Sequence, residues 1–574
     1  MRIGLRRGLG LAEREVGRGP SAGVLAFTVL VAAFLAAFLI YPILYVFREA
    51  FAVKGALSLS YFRLIFIQNP VYRECLLNSL ALGVATTVFT TLLAVPLAFV
   101  GTRCRFRGKG LLSGLLLVPM IMPPFVGAIG MRRLLARGGS INLFLQKLGL
   151  VEEGIDFLGA GGFWAVVALE VLHLYPIMYL NVAAALANVD PSLEDAARNM
   201  GDSGFRLFRK VTFPLMLPGY FAGAVLVFIW AFTDLGTPLI FGYSRVVAVQ
   251  IFDKVSDIHT NPMAYALVVV VILFTAAVFL AGRLYVGGRG YEMLSKGTAA
   301  RRERPVSAWA TAVIWAGMVG VVALAVLPHV SVFLTSVAGE WSETVLPTRW
   351  TGEFYGRAVR HELAVRGMRN SLALSLGSTA IDVVLGVGIA YILVRRRFVG
   401  AGVLDTLAMM PLALPGIVLA FGYVVAFRGS PLDPMRNPFP LLMIAYAVRR
   451  LPYMVRAACA GFQQTSVTLE EAAMNVGAAP TRALFKITVP LIMANLIAGA
   501  VLSFSFAMLE VSDSLILAVR REHYPLTKAV YKLLDIAGDG LPCAMGMMAM
   551  GLLMATLLVT GVLLGRRMGQ LFRV

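Results

Sequence analysis

The chain has 574 residues, of which 59% are hydrophobic and only 14% charged. A soluble domain is nearer half apolar and a quarter charged, so this composition excludes an ordinary water-soluble fold and points to lipid as the solvent. The net charge of +20 does not indicate nucleic acid, because the basic residues sit in short clusters between apolar runs, where membrane topology places them.

In chain order, Arg2, Arg6, Arg7, Arg14 and Arg18 precede an apolar run from about 22 to 47. That run is too long for the core of a signal peptide and no small-residue cleavage site follows, so it reads as a retained first helix. A helix crosses the hydrocarbon in roughly 20 apolar residues. Further spans are predicted near 77–100, 111–136, 162–187, 218–242 and 262–285, then 308–336, 370–394, 401–427, 438–460, 492–518 and 542–565. The third and ninth are interrupted by prolines. The expected organisation is a cytoplasmic segment at 1–21, a first repeat at 22–290, a basic linker at 291–307 and a second repeat at 308–574. Cys75, Cys104, Cys459 and Cys543 form no CxxC or Cys/His cluster, so neither a disulfide framework nor a metal site is implied.

Charge sets the expected orientation. The loop at 102–110 carries Arg103, Arg105, Arg107 and Lys109, and Arg395, Arg396 and Arg397 follow the eighth span. The N-terminus, the linker (Arg289, Lys296, Arg301, Arg302, Arg304) and the tail (Arg566, Arg567, Arg573) are basic too. All fall on one side of an even-numbered topology, which places both termini in the cytoplasm. The opposite loops hold Glu152, Glu153, Asp156, Asp253, Asp257, Glu340 and Glu343.

The two halves are copies. Asn78-Ser79-Leu80-Ala81-Leu82 returns as Asn370-Ser371-Leu372-Ala373-Leu374, and Pro119 and Pro123 return as Pro411 and Pro415, an offset of 292. The offset then drops to 276, so the first half carries 16 extra residues around 137–160. Each copy has six spans and starts inside, which makes the repeat parallel with a pathway between the halves.

A polar island recurs on the cytoplasmic side. Leu193-Glu194-Asp195-Ala196-Ala197 leads to Gly201 and Val211-Thr212-Phe213-Pro214; Leu469-Glu470-Glu471-Ala472-Ala473 leads to Gly477 and Ile487-Thr488-Val489-Pro490. Ser192 with Asp195, and Thr468 with Glu471, fit a capping box that starts a short helix. Gly201 and Gly477 break it, because Gly accepts the positive φ of a sharp turn. One such island is an ordinary capped loop helix; two with the same spacing favour a shared docking role.

Ionisable groups at membrane depth are functional candidates by default. Asp234 and Glu510 stand at the same place in the two repeats, and Asp513 lies one turn beyond Glu510. These three are candidates for a cation-attracting translocation path. Their alternative role is to cap helix ends or to pair with Arg449 and Arg450. Glu170 and His173, at i and i+3, are expected to form a buried ion pair.

Asp/Glu-Ala-Ala-x3-Gly-x9-Val/Ile-x-Phe/Val-Pro resembles the EAA motif of binding-protein-dependent ABC importer permeases, with Asp195 where that family has Glu, and Phe213 and Val489 where it has Leu. Two motifs, six spans per half and the fused arrangement extend the resemblance over nearly the whole chain. It implies an all-α polytopic membrane protein of about twelve transmembrane helices, in the type I importer, MetI-like permease fold. It also implies that Glu194, Asp195, Ala196, Ala197, Gly201, Glu470, Glu471, Ala472, Ala473 and Gly477 form two coupling helices, each seated in an ATPase subunit. No G-x4-G-K-[ST] loop occurs in the chain, so it is expected to be a transport subunit rather than an enzyme. It needs no cofactor or metal of its own, ATP and Mg being bound by two copies of a partner ATPase. The remaining implied partners are an extracytoplasmic solute-binding protein and membrane lipid, with no nucleic acid, in the bacterial inner membrane.

Among such permeases the chain is most similar to the ferric-iron importers, on Thr233-Asp234-Leu235-Gly236-Thr237-Pro238 and Leu509-Glu510-Val511-Ser512-Asp513-Ser514. Thiamine, aminoethylphosphonate and polyamine importers are the alternatives. An ion-coupled secondary transporter is a reading of another class, but it has no use for paired docking islands. A membrane-embedded sensor lacks an appended soluble domain.

Overall fold

The computed structural model describes residues 22–53, 56–159, 162–255, 263–287, 303–396 and 400–571. The basic segment at 1–21, Asp257, Arg289, Lys296, Arg301, Arg302, Arg397 and Arg573 lie outside them. Helices dominate the described residues, and strands are confined to three two-stranded pairs of two or three residues per strand. One pair sets Cys104-Arg105 parallel to Arg304-Pro305. Beside it Lys109 donates to Glu303 at 2.7 Å, tying the basic loop after the second span to the end of the linker.

Among the described residues eight helices are long and apolar enough to cross a membrane, and three sharply bent pairs raise the number to eleven. Two of the bends fall in the proline-interrupted third and ninth spans: Lys109–Met120 meets Pro124–Lys147 at 89°, and Ala401–Leu412 meets Gly416–Ala426 at 102°. Pro123 and Pro415 sit at the breaks with extended ψ of 131° and 139°. Proline lacks the N–H a helix needs and clashes with the preceding turn, so the chain turns there. The eleventh span also bends, by 76°, between Pro480–Leu491 and Met493–Met508. The remaining predicted span is the 26-residue helix Phe439–Gln464, which holds Arg449, Arg450 and Arg456. At 1.5 Å per residue it is about 39 Å long, enough to cross.

The sequence repeat returns as matched elements. Pro70–Arg103 and Glu362–Arg395 are both 34 residues long, and Phe163–Asn188 and Phe439–Gln464 are both 26. The short helices Gly236–Phe241 and Ser512–Leu517 have six residues each. The halves differ most at 136–162, where the first carries an additional helix, Ser140–Lys147; the second has only turns over 427–438.

Two compact units are present, and neither is a contiguous half of the sequence. One comprises the chain through Arg48, Val365–Ala529 and the residues from Gly551 onward; the other comprises Glu49–Ala364 and Val530–Met550. In the first unit the opening span packs on the second repeat: Val31 and Leu35 are buried with Ile389, Leu404, Leu451 and Met454. Tyr423 donates its hydroxyl to the Phe38 carbonyl at 2.7 Å. A Cβ on Gly422 would meet Pro42 Cβ at 3.1 Å.

The second unit repeats this device with the roles exchanged. Ala308–Val337, the opening span of the second repeat, packs on the first repeat, and Ser331 donates to the Gly130 carbonyl at 2.7 Å. A Cβ on Gly130 would meet the Val332 backbone nitrogen at 2.8 Å. Gly130 and Gly422 occupy the same place in the two repeats, so in each case a missing side chain admits the opening span of the other repeat.

Candidate functional site

Each island begins where a long helix ends. Phe163–Asn188 stops before Pro191–Asn199, and Phe439–Gln464 stops before Thr468–Asn475. The predicted capping boxes do not form. In the first copy Asp190 is the cap and accepts from the Ser192 backbone N–H at 2.9 Å. Pro191 shifts the start upstream of Ser192, because its fixed φ and missing N–H suit the first helical position. The second helix begins at Thr468 with Val467 as its cap and no side-chain cap bond.

The predicted breaks do form. Gly201 and Gly477 adopt φ of 93° and 97°. Gly201 N–H bonds to Arg198 O at 2.9 Å and Asp202 N–H to Ala197 O at 3.0 Å; Gly477 bonds to Met474 O at 2.9 Å and Ala478 to Ala473 O at 3.0 Å. Both ends are Schellman closures, in which a left-handed residue lets the chain turn back and satisfy the last carbonyls.

A buried carboxylate anchors each island to the end of a membrane helix. Glu194 accepts from Arg103 Nη2 at 2.9 Å and from the Thr212 hydroxyl at 3.0 Å. Glu470 accepts from Arg395 Nε at 3.0 Å and from the Thr488 hydroxyl at 2.9 Å. Arg103 and Arg395 are the last residues of the matched 34-residue helices. Thr212 and Thr488 close five-residue π-helical turns, Phe208–Thr212 and Leu484–Thr488, which recur in both copies. Such turns are rare and recur at functional sites.

The copies differ around this shared node. In the first, Arg198 pairs with Asp195 and lies 3.4 Å from Glu194 Oε2. In the second that position is Met474, while Arg395 also donates to the Thr465 carbonyl at 2.7 Å.

The predicted motif residues therefore divide by face. Glu194, Glu470 and Ala197 are buried and Ala473 is half-buried, whereas Ala196, Glu471, Ala472, Gly201 and Gly477 are exposed and Asp195 partly so. With Ala196 and Ala472, the outward faces hold Leu193 and Leu469, each 45% exposed, and Met200 and Val476 at 81% and 90%. Leu193, Ala196 and Met200 follow i, i+3, i+7, one stripe of a helix. Thr212, Thr488, Arg103 and Arg395 were not singled out as site residues. Their signal was identity between the repeats, since each recurs at its repeat's offset.

The acids of the membrane spans lie elsewhere. Asp234 is at the break between Phe213–Phe232 and Gly236–Phe241, where it accepts from the backbone N–H of Gly236 at 3.2 Å and of Thr237 at 2.8 Å. The Thr237 hydroxyl donates to Glu170 at 3.0 Å, so Glu170 is met by Thr237 rather than by the expected His173. Glu510 and Asp513 are buried. Arg449 Nη1 lies 2.5 Å from Glu510 and 3.3 Å from Asp513, and Arg450 completes the pairing of Glu510. One repeat thus fills this place with hydroxyl and carboxylate groups, the other with a dense ion cluster.

Comparison with known proteins agrees with this duplicated architecture. The family model described as binding-protein-dependent transport system inner membrane component matches residues 90–287 and again 382–570. The putative ferric transport system permease protein FbpB 1 of Haemophilus influenzae is 28% identical over 516 residues, 88% of this chain and 79% of its own. The ferric transport system permease protein FbpB of Actinobacillus pleuropneumoniae is 26% identical over 532 residues, 91% and 75% of the two chains. A molybdenum transport system permease protein, ModB of Haemophilus influenzae, is 32% identical over 163 residues, 28% of this chain and 69% of its own. The chain belongs to the family of inner-membrane components of binding-protein-dependent transport systems, and it carries the family's domain twice.

Proposed function

We propose that this protein is the transmembrane permease subunit of an ATP-driven importer of ferric iron, working by alternating access. Its two islands are the grips of two ATPase subunits, which bind ATP and Mg and hydrolyse the nucleotide outside this chain. The observation that carries this reading is the matched pair of islands. Each is rooted by a buried Glu–Arg–Thr node and presents an exposed apolar stripe outward. Leu193 with Met200, and Leu469 with Val476, place exposed apolar side chains together on and just past each short polar helix, which suits a face that a partner protein covers. The rigid node beneath would pass displacement of the helix to the end of a membrane span. Both islands and both termini are cytoplasmic in this reading.

Iron as cargo is supported by the names of two of the relatives that match most of the chain. Of the three acids proposed for a cation path, Glu510 and Asp513 are engaged by arginines, which makes half-buried Asp234 the candidate to test.

The experiment is co-expression of the chain with the ATPase subunit. Met200→Glu with Val476→Glu changes only exposed side chains and is expected to abolish ATPase association and substrate-driven hydrolysis. Intact association and hydrolysis in that double variant would sink the coupling reading.

A further inference from the structure

The helix Glu362–Arg395 carries polar side chains along one buried face. Ser371, Ser375, Ser378 and Asp382 lie on a single helical stripe and all four are buried. Asp382 is 0% exposed. It stands 13 residues before Arg395, about 20 Å from that end of the helix and well inside the hydrocarbon. Neither of its carboxylate oxygens has a hydrogen-bond partner among the described residues.

Close glycine contacts fix what lies opposite. A Cβ on Gly377 would meet Met443 Cε at 2.5 Å, and one on Gly386 would meet Met454 Cγ at 2.7 Å. The two helices therefore run side by side in the same direction, and Asp382, between the glycines, is level with Arg449 and Arg450. The Ser503 hydroxyl and Arg450 are polar groups beside it. Ser503 in turn donates to the Arg450 carbonyl at 3.4 Å.

Arg450 is only partly used. It pairs with Glu510 and lies over the Phe506 ring, while its Nε has no acceptor among the described residues. Arg449 serves both Glu510 and Asp513. Two guanidiniums thus face three buried carboxylates, and Asp382 is the one left without a pair. An isolated charge at this depth is costly, and the countercharge beside it is a guanidinium held by another acid.

The three segments differ in how firmly they are set. Asp382 and Arg450 sit inside helices packed face to face at the two glycines. Glu510 lies instead in the break between Met493–Met508 and Ser512–Leu517. That span descends to the second island through a further bend of 76°, so a displaced island acts on a chain that already bends and breaks. The first repeat lacks this arrangement. Thr90 stands in the place of Asp382 and Leu174 in that of Arg450, although Asp234 keeps the place of Glu510. A requirement of the fold itself recurs in both copies, and this one does not.

We propose that Asp382 is a positioning residue for transport, the second seat of the Arg450 side chain. The guanidinium pairs with Glu510 in the present arrangement and passes to Asp382 when the break at 509–511 rearranges during turnover. The assignment rests on the import reading above. Glu510 keeps Arg449 in both arrangements, so the exchange strands neither Glu510 nor a guanidinium. It trades one buried ion pair for another of the same kind, and two such alternative pairings are what a reversible switch needs.

The test uses the full chain with its ATPase subunit in lipid nanodiscs. Asp382→Asn is expected to leave ATPase association and melting temperature at wild-type values. It should slow the ATP hydrolysis stimulated by the ferric-loaded solute-binding protein of the same system about tenfold or more, with Asp382→Glu restoring part of the rate. Thermal unfolding of the solubilised chain gives a second reading. Glu510→Gln alone leaves Arg450 an acceptor in Asp382, whereas Glu510→Gln with Asp382→Asn leaves it none. The drop in melting temperature of the double variant is therefore expected to exceed the sum of the single drops about twofold or more. Asp382→Thr, matching the first repeat, serves in both measurements if Asp382→Asn does not fold. Additive drops, wild-type turnover in Asp382→Asn, or a fall in its melting temperature in step with the rate overturn the proposal and leave the import reading intact. An unaltered complex that ignores the loaded binding protein overturns the import reading, and the unfolding cycle then decides the pairing by itself.

Discussion

Glu194 and Glu470 stand 276 residues apart and hold the same buried post, each joining an arginine at a helix end to a threonine hydroxyl. The posts are not equally backed. Arg198 stands 3.4 Å from the second oxygen of Glu194, whereas Met474 occupies that position beside Glu470. Removing one partner of a buried pair strands the other charge and costs about 3–5 kcal/mol. Arg395→Ala is therefore expected to destabilise the solubilised protein by that amount, and Arg103→Ala by less than half of it. Adding Glu470→Gln to Arg395→Ala should recover part of the loss, because the stranded charge is gone. Thermal unfolding in detergent measures all three.

The two island glycines should respond alike to alanine and for a reason unrelated to space. Neither would place a Cβ within 4 Å of another group. The penalty comes from the left-handed backbone alone, about 1–2 kcal/mol per residue. Gly201→Ala and Gly477→Ala are expected to lower substrate-driven ATP hydrolysis in the assembled complex, with Gly→Asn milder at both sites because Asn tolerates that conformation. Equal loss from Ala and Asn would show that backbone conformation is not the cause.

Only the first island should feel acid through its cap. The backbone N–H and hydroxyl of Ser192 hold the Asp190 carboxyl below its ordinary range. A carboxyl depressed in this way stabilises the fold above its ordinary pKa, and the benefit disappears as pH falls through the depressed value. Hydrogen-exchange protection of amides 192–199 is expected to fall on acidification below about pH 4. Asp190→Ala should lower protection at neutral pH and remove this acid dependence. Amides 468–475, whose helix has no side-chain cap, should not show the same step.

Gly130→Ala is expected to cost more than Gly422→Ala. At Gly130 the new methyl would meet a backbone nitrogen at 2.8 Å and Val332 Cγ2 at 2.9 Å, whereas at Gly422 the nearest atom is Pro42 Cβ at 3.1 Å. Overpacking of this kind costs about 1–3 kcal/mol. A larger drop in melting temperature for Gly422→Ala would contradict the ranking.

Asp234→Asn removes the charge and keeps the shape of the side chain. The Gly236 and Thr237 N–H groups bond to separate oxygens of Asp234, so the single Asn oxygen keeps one of the two bonds while the negative charge is lost. Slower ferric-iron uptake with unchanged ATPase association is the expected result. Unchanged uptake would remove Asp234 from the path.

Periodicity, charge and duplication made the membrane class, the spans and the two islands legible in the sequence. The bends of the third and ninth spans were foreshadowed by Pro123 and Pro415, because proline acts on its own turn. The same locality explains Gly201 and Gly477, whose backbone requirement is met by residue type alone. The capping box of the first copy misled because Pro191, one residue upstream of Ser192, took the first helical position.

What stayed hidden depends on contacts between segments far apart in the chain. Glu194 with Arg103 and Thr212, and Glu470 with Arg395 and Thr488, converge only when three elements meet. A one-dimensional motif gives no sign of which adjacent acid, Glu194 or Asp195, turns inward. The exchange of opening spans is equally invisible, since Gly130 and Gly422 are apolar residues in apolar runs until Val332 and Pro42 come against them. The repeated island was determined by its own residues; its anchoring was decided by tertiary packing, because a buried charge is stable only where the fold delivers its partners.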